Sequence, residues 1–167
     1  FPLSPLSALY PEELEVRFSA DAPAQAVSRT GYVPERTLTL LVNGENSFKT
    51  AVADYLAESF TAAGVPVETR VLPWEEYAAA LEAGDFDLYY GEVRLTADWD
   101  LSPLLSSGGA LNYGGWMDAE TDGLLAAYNA AENRTAAMEA LCSRLRQQSP
   151  ILPVCFKSTS VLTQTGV

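Results

Sequence analysis

Histidine is absent from this chain of 167 residues, and cysteine is rare. Without histidine, no Ser–His–Asp or Cys–His catalytic arrangement and no histidine-ligated metal site can form. The two cysteines, Cys142 and Cys155, are too few for a four-thiolate zinc site or a disulfide framework. We therefore expect no bound metal and no cofactor, although chemistry based on carboxylates stays open.

Basic residues and long apolar runs are also scarce. The chain has 10 lysines and arginines against 22 aspartates and glutamates, which gives a net charge of −12. Residues 75–132 hold twelve acids and one base, Arg94, so a charge of −11 lies in this segment alone. Binding to a phosphate backbone needs clustered lysine and arginine, so no nucleic-acid partner is expected. No apolar run approaches the roughly 20 residues that a membrane-spanning helix requires.

Strand and helix patterns alternate from residue 37 to residue 90. Short β-rich runs are separated by stretches with apolar residues at a helical period, and the connections are short. The predicted order is strand 37–42, helix 48–63, strand 65–72, helix 73–83 and strand 86–90. This order predicts an α/β fold with a mostly parallel sheet and helices on both faces.

The segments before and after this region differ from it in proline content and in apolar periodicity. Residues 1–36 contain five of the ten prolines and predict an extended lead-in with one short helix at 22–30. Residues 92–117 lack periodicity and predict a long loop, which is typical of a functional segment. Two helices at 118–131 and 133–148 and a last strand, Ile151–Phe156, are predicted to follow.

Polar residues follow the predicted strands at their carboxyl ends, where open α/β sheets bind ligands. They are Asn43 and Glu45 after the first strand, Glu92 and Arg94 after the third, and Asp98, Trp99 and Asp100 in the long loop. Carboxylates held there can bind a cationic group, but solvated loop charges explain the same pattern. Arg94 can form a salt bridge or hold a ligand carboxylate. Trp99 either fills the core or offers a stacking surface, whereas Trp74 lies on an apolar helical stripe and is predicted in the core.

The two cysteines allow two interpretations. Cys142 is predicted on the inner face of the last helix and Cys155 on the strand that follows it. They are either two buried thiols or, if the chain is exported, a possible disulfide.

Six stretches of the chain, taken in order, resemble one family. They are Leu38–Val42, Ala63–Val67, Gly84–Leu88, Asn112–Tyr113, Asp122–Leu125 and Pro150–Val154. They are similar to the second lobe of the extracytoplasmic solute-binding proteins of oligopeptide, dipeptide and nickel ABC transporters. The lead-in resembles the segment that crosses into this lobe.

The resemblance implies a periplasmic-binding-protein-like (type II) fold. Residues 1–36 would be the crossing segment and residues 37–167 the ligand-binding lobe of a longer, two-lobed receptor. In the family, an aspartate in an Ala-Asp-aromatic stretch after the third strand pairs with the amino terminus of the ligand. Residues 97–99 match that stretch, which implies this role for Asp98. The family commonly has Gly-Trp where this chain has Gly91-Glu92, so Glu92 and Asp100 remain alternative carboxylates.

The function implied by the resemblance is the capture of short peptides for uptake, without catalysis. The expected partners are a peptide or other small solute, the first lobe of the same chain and an ABC permease. The expected location is extracytoplasmic, in the periplasm or on the outer face of a bacterial membrane, with a lipid anchor. Alternatives are a nickel chelate or other small solute as ligand, a carboxylate-dependent hydrolase using Glu92 and Asp98, and an interaction domain without a small ligand.

Overall fold

The computed structural model describes residues 1–14 and 19–157. These residues form two compact units. The sheet unit comprises residues 19–96 and 110–115, and the helical unit comprises residues 1–14, 97–109 and 116–157.

The sheet unit is built on three parallel strands, β1 (Leu38–Asn43), β2 (Val67–Leu72) and β3 (Leu88–Tyr90). β1 is the central strand, with β2 on one side and β3 on the other. The three strands predicted for this region are confirmed in type and order, with ends shifted by at most two residues.

Three helices belong to the sheet unit: α1 (Ala22–Thr30), α2 (Ser47–Ala62) and α3 (Trp74–Ala83). All three were predicted from the sequence and are confirmed. α2 begins where the side chain of Asn46 accepts a hydrogen bond from the backbone N–H of Lys49 at 3.1 Å. α3 ends at Gly84, whose φ of 67° is left-handed and favours glycine.

The side chains of β1 alternate between two apolar cores, one on each face of the sheet. Leu40 and Val42 pack against α2 around Ala53. Leu41 packs on the opposite face, against Tyr77 of α3. Helices therefore cover both faces of a parallel sheet, and the predicted fold class is confirmed.

Asp87 connects the edge strand to the segment before the central strand. Its carboxylate accepts two hydrogen bonds from the Arg36 guanidinium, at 2.7 and 2.5 Å, and one from the backbone N–H of Thr39 at 2.8 Å. Because these donors favour the charged carboxylate, the hydrogen bonds from Arg36 and then Thr39 lower the pKa of Asp87 to about 2.

The helical unit contains α4 (Ser102–Leu105), α5 (Ala119–Ala130) and α6 (Thr135–Gln148). α5 and α6 pack against each other. Their shared core holds the following buried side chains: Leu125, Tyr128, Met138, Leu141, Cys142 and Leu145. The two long helices confirm the prediction from helical periodicity, and the single turn of α4 lies within the segment predicted as a loop.

Asp118 joins the start of α5 to the middle of α6. Its Oδ2 accepts a hydrogen bond from the backbone N–H of Thr121 at 3.1 Å, and its Oδ1 lies 2.8 Å from Nη2 of Arg144. The Arg144 guanidinium, followed by the Thr121 hydroxyl, holds the pKa of Asp118 well below its usual range.

One predicted strand is wrong. Residues Ile151–Phe156 form no strand, and most of their side chains are exposed. Pro150 and Pro153 each lack a backbone N–H, which weakens any pairing of this segment as a strand. The described sheet also provides no neighbouring strand for it, since its three strands pair only with one another.

Candidate functional site

Polar side chains line the turn that follows β1. Asn43 is buried, and its Oδ1 accepts a hydrogen bond from the backbone N–H of Glu45 at 3.0 Å. Oε1 of Glu45 accepts from the backbone N–H of Trp74 at 3.1 Å, which satisfies one of the free donors at the start of α3. Asn43 thus shapes the turn, and Glu45 connects it to the neighbouring helix.

The residues that follow β3 differ in their electrostatic partners. Oε2 of Glu92 lies 2.9 Å from Nζ of Lys49, in the first turn of α2, and the Lys49 side chain is only 14% exposed. Arg94 is exposed and forms no ion pair with the residues that the structure describes. Of the two interpretations of Arg94, the structural salt bridge is thus not found within the described chain.

Large apolar side chains are exposed where the three strands end. Trp74 is 54% exposed and Phe48 is 51% exposed. The prediction that Trp74 belongs to the core is wrong, because Trp74 is the first residue of α3 and Tyr77, one turn later, occupies the core. The Tyr77 hydroxyl donates to the backbone oxygen of Tyr90 at 3.0 Å.

These groups define one surface of the sheet unit, because the carboxyl ends of parallel strands lie at the same edge. We call it the sheet-edge surface; it consists of the exposed residues Glu45, Phe48, Val71, Trp74, Glu92 and Val93 and lies next to the buried Asn43. It combines exposed aromatic and aliphatic groups with carboxylates, which suits a ligand that has both apolar and cationic parts.

Asp98 lies in the helical unit, where Arg134 and Tyr128 are among its partners. Its carboxylate Oδ2 is 2.9 Å from Nη1 of Arg134, at the start of α6. Its backbone oxygen accepts a hydrogen bond from the hydroxyl of Tyr128 on α5. The Arg134 guanidinium carbon also lies 5.0 Å from the centre of the Tyr128 ring, within the range of a cation–π contact. The bond to Asp98 is the main reason why the pKa of Arg134 is raised.

Trp99 has an unusual backbone conformation. Its φ of 55° is left-handed, which is rare for a bulky residue. The indole is half-buried, and its ring centre lies 6.0 Å from that of Phe156 in an edge-to-face contact. The sequence left open whether Trp99 fills the core or offers a stacking surface. The structure combines both, since part of the ring packs and part stays accessible.

Asp100 has a structural role at the start of α4. Its Oδ1 accepts hydrogen bonds from the backbone N–H and hydroxyl of Ser102, at 2.9 and 2.6 Å, and from the Asn129 amide at 3.3 Å. The Ser102 hydroxyl is the main cause of its lowered pKa. With these donors in place, Asp100 is a poorer ligand group than Asp98.

The cysteines match neither interpretation completely. Both are free thiols; Cys142 is buried on α6, whereas Cys155 is exposed. The possible disulfide is not formed, because Cys142 points into the helical core and Cys155 does not.

The predicted site residues divide between the two units. Asn43, Glu45, Glu92 and Arg94 belong to the sheet unit, whereas Asp98, Trp99 and Asp100 belong to the helical unit. The sequence analysis missed Lys49, Tyr128 and Arg134, whose contacts with the predicted residues join distant parts of the chain. The sequence indicates only that each of the three is a polar or amphipathic side chain on a predicted helix, which does not distinguish them from many other residues.

Two further properties limit the chemistry. Within residues 1–14 and 19–157, no group of three or more acidic or cysteine side chains is arranged to hold a metal ion. In the same residues, no helix has the length and apolarity needed to cross a membrane.

Solved structures share the fold of this chain. An oligopeptide-binding protein from Bacillus subtilis, AppA, in complex with a nonapeptide, matches with a TM-score of 0.74 at 20% identity, over 89% of this chain and 34% of its own. The Escherichia coli murein tripeptide binding protein MppA also matches with a TM-score of 0.74, at 24% identity, over 88% of this chain and 31% of its own. A nickel ABC transporter protein from Bacillus halodurans has a TM-score of 0.71 at 20% identity, over 87% of this chain and 34% of its own.

These likenesses define the class of fold. They confirm the periplasmic-binding-protein-like (type II) fold and the resemblance from which it was predicted. The chain spans about a third of the length of these solved proteins. No protein-family model matches the chain. No curated protein matches it either.

Proposed function

We propose that the chain is one lobe of the substrate-binding component of an ABC importer, which captures short peptides for uptake. The observation that carries this proposal is the likeness of 89% of the chain to an oligopeptide-binding protein, at a TM-score of 0.74. In this proposal residues 37–167 form the lobe, residues 1–36 cross into it, and another part of a longer chain supplies the first lobe. The full-length protein is an extracytoplasmic bacterial lipoprotein that delivers its ligand to an ABC permease.

The sheet-edge surface supports a ligand-binding role. Half of the Trp74 side chain and half of the Phe48 side chain are exposed at the edge where α/β sheets bind ligands. Aromatic rings can pack against the side chains of many peptides without requiring one sequence. The carboxylates of Glu45 and Glu92 add negative charge, which favours ligands with a cationic group.

Asp98 is the proposed partner of the ligand's amino terminus. The Tyr128 hydroxyl and Arg134 hold Asp98 in place, and its side chain is 48% exposed. A charge-assisted hydrogen bond to an ammonium group contributes about 1.5–3 kcal/mol, or roughly 10- to 150-fold in affinity. We expect Asp98→Ala in the full-length protein to weaken peptide binding by at least about tenfold, measured by calorimetry.

Two controls sharpen this experiment. Glu92→Gln removes the alternative carboxylate, and we expect it to change the dissociation constant by less than Asp98→Ala does. A peptide with an acetylated amino terminus should lose the difference between wild type and Asp98→Ala. Equal affinity of wild type and Asp98→Ala for the free peptide would contradict the role of Asp98.

A nickel chelate is the second candidate ligand, because the similar structures include a nickel transporter protein with a TM-score of 0.71. Direct ligation of nickel by this chain is disfavoured, since the chain has no histidine and the described residues hold no cluster of metal ligands. A chelate that brings its own donor atoms would still fit. Native mass spectrometry of the full-length protein distinguishes a co-purified peptide from a nickel complex by mass.

The hydrolase alternative has less support. Glu92 and Asp98 each form an ion pair with a basic side chain, Lys49 and Arg134 respectively. A pair of catalytic carboxylates needs two neighbouring acids with different protonation states. Two of the similar structures are peptide-binding proteins. We therefore propose that the chain binds its ligand without catalysis.

A further inference from the structure

The Asp98 carboxylate has an internal counter-ion. Nη1 of Arg134 lies 2.9 Å from Oδ2 of Asp98, and the two side chains are 30% and 48% exposed. Exposure at this level leaves both groups within reach of a ligand. The pair is therefore an accessible ion pair and not a buried structural one.

Tyr128 holds both members of the pair. Its hydroxyl donates to the backbone oxygen of Asp98, and its ring lies 5.0 Å from the Arg134 guanidinium carbon. Tyr128 itself, on α5, is fully buried. One buried side chain therefore contacts both the backbone of Asp98 and the guanidinium of Arg134, which keeps the two residues next to each other.

The electrostatics of a pair differ from those of a lone carboxylate. A ligand ammonium attracted to Asp98 is also repelled by the Arg134 guanidinium, so it gains less from the pair than it would from a lone carboxylate. An anionic group next to that ammonium would gain from Arg134, whose planar guanidinium has five N–H donors. The described residues give Arg134 no carboxylate partner other than Asp98.

We infer that Arg134 sets the charge selectivity of the Asp98 site, so that it prefers ligands with an anionic group beside the ammonium over ligands with the ammonium alone. This inference rests on the proposed function and names the ligand class: peptides whose first residue is acidic, or other compact zwitterions. The preference runs against the net charge of −12, which by itself repels anionic ligands.

The test compares two isosteric tripeptides, Asp-Ala-Ala and Asn-Ala-Ala, which differ only in a negative charge next to the ammonium group. Dissociation constants are measured by calorimetry on the full-length protein. Wild type is expected to bind the aspartate peptide about fivefold more tightly, as for an accessible ion pair. Arg134→Gln should reverse the preference, because the remaining acids then dominate, and it should bind the asparagine peptide more tightly than wild type does. Arg134→Lys should keep a preference for the aspartate peptide.

Controls separate selectivity from structural damage and from a general change of charge. Arg29→Gln changes the net charge equally from an exposed position on α1, and it should leave the ratio of the two affinities as in wild type. Thermal melting verifies that each variant is folded. An unchanged ratio in a folded Arg134→Gln variant, or equal affinity of wild type for the two peptides, overturns the inference and leaves the proposed function intact. Absence of binding of both peptides to wild type overturns the proposed function, and the inference with it.

Discussion

At the scale of single residues, the Asp98–Trp99 pair has the features of a functional site. Trp99 is in a left-handed conformation, and such outliers in bulky residues persist only where the surroundings enforce them. The anchors are the Tyr128 hydroxyl and the Arg134 guanidinium on one side and the Phe156 ring on the other. The neighbouring carboxylate of Asp100 instead binds donors at the start of α4.

Sequence reasoning identified candidate site residues but not their partners. Asp98 was selected because it follows a predicted strand and matches a family stretch. Arg134 follows Asp98 by 36 residues in the sequence, and Tyr128 follows it by 30. No local sequence pattern predicts a contact between residues so far apart in the chain. Lys49 was missed for the same reason, since its partner Glu92 lies on another strand–loop segment.

Asp87 provides a test of stability against pH. In the folded chain the pKa of Asp87 is lowered to about 2 by Arg36 and Thr39, below its ordinary value of 3.8. The charged carboxylate therefore stabilises the fold fully above about pH 4, and this contribution is lost as the pH falls towards 2. We expect Asp87→Asn to lower the melting temperature by about 3 °C at pH 7 and by clearly less at pH 2.5, measured by circular dichroism.

A matched variant isolates the contribution of the contacts. Asp85→Asn removes the same charge from a carboxylate that is 65% exposed and pairs with Arg70 at 2.6 Å. Exposed pairs contribute little, so its melting temperature should stay within about 1 °C of wild type. Equal shifts for the two variants, or no pH dependence for Asp87→Asn, would contradict the role given to Asp87.

At the scale of helices and strands, the predictions succeeded where local pattern and packing agree. The apolar stripes of α5 and α6 face a core as their periodicity predicts, and the run of β1 is buried. The stripe of α2 is confirmed only in part, because Phe48 at its start and Tyr55 are exposed. The prediction failed at Ile151–Phe156, where an apolar run has no neighbouring strand in the described chain. α4 was missed although Pro103, one position into the helix, is a known signal for a helix start.

The start of α2 can be tested at two neighbouring polar residues, Asn46 and Ser47. The structure assigns the role of helix cap to Asn46, whose side chain accepts from the N–H of Lys49. We expect Asn46→Ala to lower the free energy of unfolding by about 1 kcal/mol in urea titrations. Ser47→Ala, one residue later and inside the helix, should cost clearly less; the opposite order of the two variants would disprove the assignment.

At the scale of the whole molecule, the chain is short compared with the proteins that share its fold, and its negative charge is unevenly distributed. The chain covers about a third of the solved proteins that share its fold. The segment 75–132, with twelve acids and one base, includes β3, the residues that follow it and the Asp98 loop. Negative charge is thus concentrated in the part of the chain that carries most of the proposed ligand contacts.

The proposal that the chain is one lobe has a direct consequence for affinity. Binding sites for small ligands bury most of the ligand surface, and a single wall cannot do so. We expect this chain alone to bind a given peptide at least about tenfold more weakly than the full-length protein, measured by calorimetry. Circular dichroism should first establish that the isolated chain is folded. Equal affinities would show that the chain holds a complete site and would contradict the one-lobe proposal.

The unequal environments of the two cysteines have a practical consequence. Burial raises the pKa of the Cys142 thiol to about 12, so at neutral pH almost none of it is the reactive thiolate. Cys155 is exposed and adjoins Phe156, whose ring contacts Trp99. A maleimide dye would consequently attach to the folded chain at a single position, Cys155, next to the residue that contacts Trp99. The chain thus has a natural attachment point for a fluorescent reporter of ligand binding, without any cysteine having to be added or removed.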